Sequence, residues 1–288
     1  MKKIISKCLV TFMILASTLI LTNNSVFAKS ITRNEPVKAI SSMNLTNSST
    51  IQSSKLQSFG LGISQSEYVS NNRPYSWYID QGSTGVDSNS NCGPSSTTMA
   101  LKWYNSDFTK TAIDARNTYP ENDGWWTTSD VTNYLDLYST KYSVLNNTGE
   151  NLLKYKLKQG NIVVLCIDTS YISYNNNSEQ RVGRFYDYKG GHFIVVKGYR
   201  VVDGKTYFET YDPNNWNAHY KDGQEKGQDR YYSSQELMNA MSNWWNYLIV
   251  VNNNPSSLGT SAVKNNSMLQ NKFKVNSNMN NIKISYGK

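Results

Sequence analysis

The chain has 288 residues, a formal net charge of +8 and three cysteines. Its length suits a single domain with flanking segments. The excess positive charge lies mostly outside the centre, because residues 71–251 carry 17 basic and 19 acidic side chains. This near-neutral centre has no basic stripe of the kind that binds nucleic acid, so a nucleic-acid partner is not expected.

The first 28 residues have the pattern of a secretory signal peptide. Lysines precede an apolar run from Cys8 to Leu21, and small residues up to Ala28 suit a cleavage site. The apolar run is too short to favour a membrane span. We therefore predict a secreted protein, extracellular or associated with a cell wall, without stable membrane insertion after cleavage.

Polar segments flank the predicted domain on both sides. Residues 29–70 are rich in Ser, Asn, Thr and Gln, a composition that predicts a disordered spacer or propeptide. Aromatic residues begin at RPYSWYI and continue to NWWNYLIVV, which places the folded domain over residues 71–252. Residues 253–288 are rich in Asn, Ser and Lys, and we predict a flexible basic tail.

The first half of the domain is predicted to be mainly helical. PSSTTMALKWY is competent to form a helix, with Pro94 suited to its first turn. TTSDVTNYLDLY has capping residues and an apolar face, which predict a second helix. GENLLKYKLKQG predicts a third helix that ends at Gly160, and SSQELMNAM predicts a last helix later in the chain.

Strand patterns dominate the second half of the domain. They occur in NIVVLCID, GGHFIVVKGYRVV, KTYFETYDP and YLIVV. The second and third of these runs are joined through Asp203 and Gly204, which is a hairpin signal. Because helices come mainly first and strands later, the predicted fold class is α+β with a largely antiparallel sheet.

Cleavage of the signal peptide would leave two cysteines in the chain. Cys166 lies within the apolar run NIVVLCID and is predicted to pack in the core. Cys92 lies in a polar loop directly before a predicted helix, where the helix N-terminus favours a thiolate. Taken alone, a cysteine before Gly-Pro is more often an ordinary loop residue.

A histidine and an aspartate are predicted to act together with Cys92. His192 opens one strand of the hairpin and Asp212 ends the other, so both belong near one edge of the sheet. There, Asp212 could orient the imidazole, and the imidazolium could stabilise a thiolate. The other histidine, His219, lies in a polar loop where a solvated role is favoured. The joint occurrence of Cys, His and Asp at element boundaries favours a catalytic triad.

Five stretches together resemble the peptidase C39-like family, a branch of the papain-like cysteine peptidases. They are NCGPSSTTMAL, LLKYKLKQGNIVVLCID, GGHFIVVKGY, YFETYDPN and SSQELMNAM…YLIVV. The resemblance covers nearly the whole domain in the right order and implies a papain-like fold, with N-terminal helices packed against the sheet. It implies Cys92 as the nucleophile, His192 as general base and acid, and Asp212 as the residue that orients the histidine.

The resemblance also implies a glutamine upstream of the cysteine that helps to hold the oxyanion. Gln81 in YIDQGSTG is the matching candidate, with a longer gap to Cys92 than in papain itself. From the residues alone, Asn91 and Gln180 remain alternatives for this role.

The implied reaction is hydrolysis of a peptide or isopeptide bond through a thioester on Cys92. The resemblance implies no cofactor, and two histidines with one active-site thiol lack the spacing of a metal site. The expected partner is therefore a peptide or protein substrate, and the expected state is a monomer.

Two other functions remain open from the sequence. The same triad permits a transglutaminase-like or other acyltransferase, in which an amine replaces water as the acceptor. A non-catalytic wall- or glycan-binding module is suggested by the pairs Trp125-Trp126 and Trp244-Trp245. Their spacing in or near helical segments favours core packing instead.

Overall fold

The computed structural model describes residues 52–119 and 124–254. The predicted signal peptide, the first part of the predicted spacer and nearly all of the predicted tail lie outside these residues. Within the two described ranges, no helix is both long enough and apolar enough to cross a bilayer.

Several of the helices begin at side-chain caps. The helices are α1 (52–58), α2 (Cys92–Tyr104), α3 (Ala112–Thr118), α4 (Thr128–Leu137), α5 (Glu150–Lys158) and α6 (Ser234–Ser242). Thr111 and Thr127 start α3 and α4 with capping boxes, each closed by an aspartate three residues later. The four predicted helices correspond to α2, α4, α5 and α6. The short α3 was not predicted, because seven residues carry too little apolar periodicity.

The strands form one antiparallel sheet. They are β1 (Gln65–Ser70), β2 (Tyr142–Asn146), β3 (Ile162–Asp168), β4 (Gly191–Val202), β5 (Lys205–Tyr211), β6 (Arg230–Ser233) and β7 (Tyr247–Val251). The order is β2-β7-β3-β4-β5-β6, with β1 paired to the far half of β4. Since every pairing between these strands is antiparallel, the predicted α+β class with its antiparallel sheet is confirmed.

The hairpin of β4 and β5 turns where the sequence predicts. Asp203 and Gly204 have φ values of 49° and 74°, the left-handed conformation that a tight hairpin turn requires. The register is irregular further along, because Gly198 pairs with Glu209 while Val196 pairs with Thr210. This bulge places one extra residue in β4, so the pairing from Val196 to the open end of the hairpin is shifted by one position.

The sheet has an apolar core on each face, as alternation along β3 requires. Val164 and Cys166 belong to the core that α2 and α4 cover, and Val163 and Leu165 belong to the core that α5 and α6 cover. The N-terminal helices therefore pack on the sheet as the papain-like fold class implies. Cys166 is only 4% exposed, in agreement with its predicted place in the core.

The prediction of a disordered spacer over residues 29–70 is wrong for residues 52–70. β1 pairs with β4, and Leu56 and Leu61 are buried against Tyr207 and Tyr231. This polar segment orders because the sheet supplies both a strand edge and an apolar surface. Its composition alone does not reveal either partner.

Candidate active site

Cys92 is the first residue of α2 and lies beside a cavity at one edge of the sheet. The helix is buried along most of its length, and Gly93 allows its first turn to approach Trp126 closely. A Cβ at Gly93 would lie 2.7 Å from the Cβ of Trp126. The cavity has a volume of about 240 Å³ and is lined by Gln81, Asn89, Cys92, Trp125, Tyr188, His192, Asn214 and Trp216.

His192 lies between Cys92 and Asp212. Its Nε2 atom donates a hydrogen bond to Oδ1 of Asp212 at 2.8 Å. This leaves Nδ1 as the second ring nitrogen, and Cys92 lines the same cavity as the imidazole. The structure therefore brings together the three residues predicted as a triad, and it buries both the histidine and the aspartate.

The carboxylate of Asp212 is held by a set of donors that the sequence analysis missed. Its Oδ1 also accepts from the backbone N–H of Asn214 at 2.9 Å. Its Oδ2 accepts from the hydroxyl of Tyr186 at 2.8 Å and from the hydroxyl of Tyr232. Tyr186 and Tyr232 lie in separate segments, so only the folded chain reveals that they share one acceptor.

The same contacts determine the charge of the buried pair. Burial raises the pKa of Asp212, but the positive charge of His192 and the surrounding hydrogen bonds outweigh burial and lower the pKa. Burial lowers the pKa of His192, but the carboxylate of Asp212 and the contact with Cys92 outweigh burial and raise the pKa to about 10. The geometry therefore favours an imidazolium next to the Cys92 sulfur.

Gln81 reaches the same cavity from a separate turn, Gln81–Ser83. Its backbone N–H donates to the carbonyl of Pro213 at 2.8 Å, which ties this turn to the residue after Asp212. Its side chain is 4% exposed, and Nε2 donates to the carbonyl of Ser88 at 3.1 Å. These two bonds hold the glutamine amide beside Cys92 despite the long sequence gap.

The two alternatives to Gln81 are engaged elsewhere. Asn91 is fully buried, and its amide donates to both the carbonyl and the hydroxyl of Thr84. Gln180 accepts a hydrogen bond from Asn175 and packs against Gly60. Neither residue lines the cavity that contains Cys92.

His219 does not join this arrangement. Its Nδ1 atom donates to the carbonyl of Asn217 at 2.8 Å in an exposed loop. It is absent from the lining of the Cys92 cavity. This position fits the solvated role that the sequence favours.

The tryptophan pairs divide between the core and the surface. Trp126 and Trp245 are buried, as predicted, whereas Trp125 and Trp244 are 49% and 41% exposed. Trp125 lines the cavity together with Trp216, which the sequence analysis did not consider. The prediction of core packing thus holds for one member of each pair, because adjacent residues point to different sides of the chain.

Within the described ranges, no group of three or more His, Cys, Asp or Glu side chains is arranged to hold a metal ion. Cys92 and Cys166 are both free thiols. Burial raises the pKa of Cys166, and the negative charge of Cys92 adds to this effect. The cavity lining presents a thiol, an imidazole and side-chain amides.

Comparison with known proteins gives one family match. The model described as the Peptidase_C39 like family matches residues 69–245, which is more than half of the chain. This range includes all four residues that the sequence analysis assigned to the site. No curated protein matches the chain.

Two solved structures are similar at low identity. One is described as a C39-like peptidase from Bacillus anthracis, with 16% identity and a TM-score of 0.43, covering 66% of this chain and 99% of that chain. The other is digestive procathepsin L 3 from the larval midgut of Tenebrio molitor, with 16% identity and a TM-score of 0.43, covering 65% and 70%. The family assignment depends on the sequence match over residues 69–245.

Proposed function

The chain belongs to the peptidase C39-like family, and from this premise we propose that it is a cysteine peptidase with Cys92 as nucleophile. The observation that carries the proposal is the position of His192, which lines the same cavity as Cys92 and is hydrogen-bonded to Asp212. The substrate we propose is a peptide or isopeptide bond outside the cell, in keeping with the predicted signal peptide.

The nucleophile in this proposal is the thiolate of Cys92. The N-terminus of α2 and the imidazolium of His192 both bring positive charge to the sulfur, which stabilises the anion. The sulfur attacks the carbonyl carbon of the substrate, and the carbonyl oxygen becomes an oxyanion. Donors for that oxygen are the backbone N–H of Cys92, in the first turn of the helix, and the amide of Gln81.

The leaving group takes its proton from His192. As the carbon–nitrogen bond breaks, Nδ1 of the imidazolium protonates the amine, and the acyl group stays on the sulfur as a thioester. The neutral Nδ1 then accepts a proton from water, whose oxygen attacks the thioester carbon. The carbon–sulfur bond breaks, and the thiolate and the imidazolium form again. Throughout both steps, Asp212 holds the proton on Nε2.

Replacing Gln81 by alanine is expected to lower kcat by about 10²- to 10³-fold, the usual effect of losing one oxyanion donor. KM should change little, because the donor acts on the charge that develops in the transition state. Steady-state kinetics on a cleaved peptide would measure both constants.

The matched control is Gln180→Ala, since this glutamine lies outside the cavity. It should leave kcat unchanged. A Gln81→Ala enzyme that retains more than about a third of the wild-type kcat would contradict the role of Gln81 as an oxyanion donor.

A thiol-reactive probe tests the proposed function before any substrate is known. Both cysteines are buried, but only Cys92 belongs to the cavity lining that includes His192, and the pKa of Cys166 is raised. We expect iodoacetamide to label Cys92 selectively at neutral pH in the folded protein. Mass spectrometry of the two cysteine peptides would measure the ratio. Equal labelling of both cysteines would argue for a non-catalytic protein.

A further inference from the structure

Arg116 on α3 is a buried cation next to the turn that leads into Cys92. Its side chain is only 5% exposed. Nε donates to Oδ1 of Asn91 at 2.7 Å, and Nη2 donates to the carbonyls of Ser90 at 2.9 Å and Gly124 at 2.6 Å. The guanidinium thus binds the two residues that directly precede the proposed nucleophile.

These bonds continue from Arg116 to the proposed oxyanion donor. The side-chain amide of Asn91 donates a hydrogen bond to the hydroxyl of Thr84 at 2.9 Å. That hydroxyl donates to the carbonyl of Gln81 at 2.6 Å. Arg116, Asn91 and Thr84 therefore link the turn before Cys92 to the turn that holds Gln81.

Among the described residues, Arg116 forms no hydrogen bond or ion pair with a carboxylate, and Asp87 and Asp130 act on its charge only at longer range. All its hydrogen-bond acceptors are neutral oxygens, and Nη1 has no acceptor within the two described ranges. A buried guanidinium stays protonated and is costly to bury without a counter-charge. The neighbouring group that becomes negative in the proposed reaction is the sulfur of Cys92.

We propose that Arg116 is a positioning residue that fixes the turn before α2 and supplies a buried positive charge to the Cys92 thiolate. This inference rests on the proposed function, since it assigns a role to Arg116 in the reactivity of the same sulfur. Arg116 is then a third source of positive charge near the Cys92 sulfur, besides the helix N-terminus and His192.

The titratable groups around Cys92 and Arg116 come from several elements of the fold. Cys92 is faced by His192 on β4, by Tyr188 in the loop before it, and by Cys166 on β3. Arg116 itself is faced by Asp87 and Asp130 as well as by Cys92. Burial lowers the pKa of Arg116, and these three negative groups oppose that effect.

The test is the rate at which iodoacetamide alkylates Cys92 at pH 6, followed by mass spectrometry of the Cys92 peptide. Arg116→Met removes the charge and keeps much of the volume, and we expect alkylation about tenfold slower than in the wild type. Arg116→Lys keeps a charge but loses the planar fork, and we expect about threefold slower alkylation. Near-UV circular dichroism would establish that each variant is folded at the assay temperature.

The matched control is Arg181→Met. Arg181 is also buried, at 4% exposure, but it contacts Asp222, Gln224 and Tyr220 rather than the turn before Cys92. Its loss should leave the alkylation rate at the wild-type value. An equal slowing in this control would overturn the inference, because the effect would then follow from removing any buried arginine.

The outcomes separate this inference from the proposed function. If Cys92 is labelled selectively in the wild type but at the same rate in either folded Arg116 variant, only the role of Arg116 is wrong. If Arg116→Met does not fold, the Arg116→Lys rate decides in the same way. If wild-type Cys92 reacts no faster than Cys166, the proposed function and this inference are both wrong.

Discussion

Cys92→Ala is expected to abolish peptide hydrolysis, with kcat lowered by at least about 10⁴-fold, because no other thiol among the described residues lines the cavity. The fold should survive the change. Removing one buried sulfur atom costs about 1 kcal/mol, which lowers Tm by roughly 2–4 °C in a domain of this size. Hydrolysis of a peptide substrate and thermal unfolding by circular dichroism would measure the two effects.

Cys166→Ala provides the matched control for Cys92→Ala. Both cysteines belong to the same apolar core, and both lose one sulfur atom in the change. The Cys166 variant should keep the wild-type kcat and lose a similar amount of stability. Persistent hydrolysis by purified Cys92→Ala protein would rule out the thioester mechanism.

His192→Ala is expected to lower kcat by at least about 10³-fold, because the leaving amine then has no proton donor and the thiolate has no imidazolium beside it. This variant should also lose about 3–5 kcal/mol of stability, since the buried carboxylate of Asp212 would lose its charged partner. Kinetics and chemical denaturation would measure the two losses.

His192→Gln separates the loss of catalysis from the loss of stability. A glutamine amide can still donate to Asp212, so this variant should be as inactive as His192→Ala while losing less stability. A His192→Gln enzyme that retains a tenth of the wild-type kcat would contradict the assignment of His192 as acid and base.

The wild type and His192→Gln also allow a pH test of the buried charge of His192. The pKa of His192 is raised to about 10 in the folded chain, above the value of about 6.5 expected when the chain is unfolded. The folded state therefore binds the extra proton between these values, and the contribution of His192 to stability is complete below about pH 6.5 and falls as pH rises toward 10. Wild-type stability relative to His192→Gln should decline over this range.

Much of the site follows from local patterns in the sequence. The polar loop before an apolar-periodic segment identifies Cys92 as a residue at a helix N-terminus, and the structure starts α2 at that residue. The hairpin signal at Asp203-Gly204 brings the start of β4 and the end of β5 to one edge, where His192 and Asp212 meet. Such patterns are readable because caps, turns and alternation depend on residues close together in the chain.

The register between β4 and β5 and the buried contacts at their bulge depend on the folded chain. A bulge between Val196 and Gly198 shifts the hairpin by one position, which the turn residues alone do not indicate. The buried side chain of Lys197 at this bulge forms ion pairs with Glu209 and Asp229. A one-residue shift reverses the faces of a strand, so the register is decided by these long-range contacts.

The sequence by itself determined the α+β class, the cysteine, histidine and aspartate that converge, and the family resemblance. Only the tertiary structure decided that Gln81 reaches the cavity, that Tyr186 and Tyr232 hold Asp212, and that Arg116 lies behind Cys92. The physical reason is that periodicity and capping report contacts within a few residues. Contacts between segments far apart in the chain are selected by packing and by the need to pair buried polar groups.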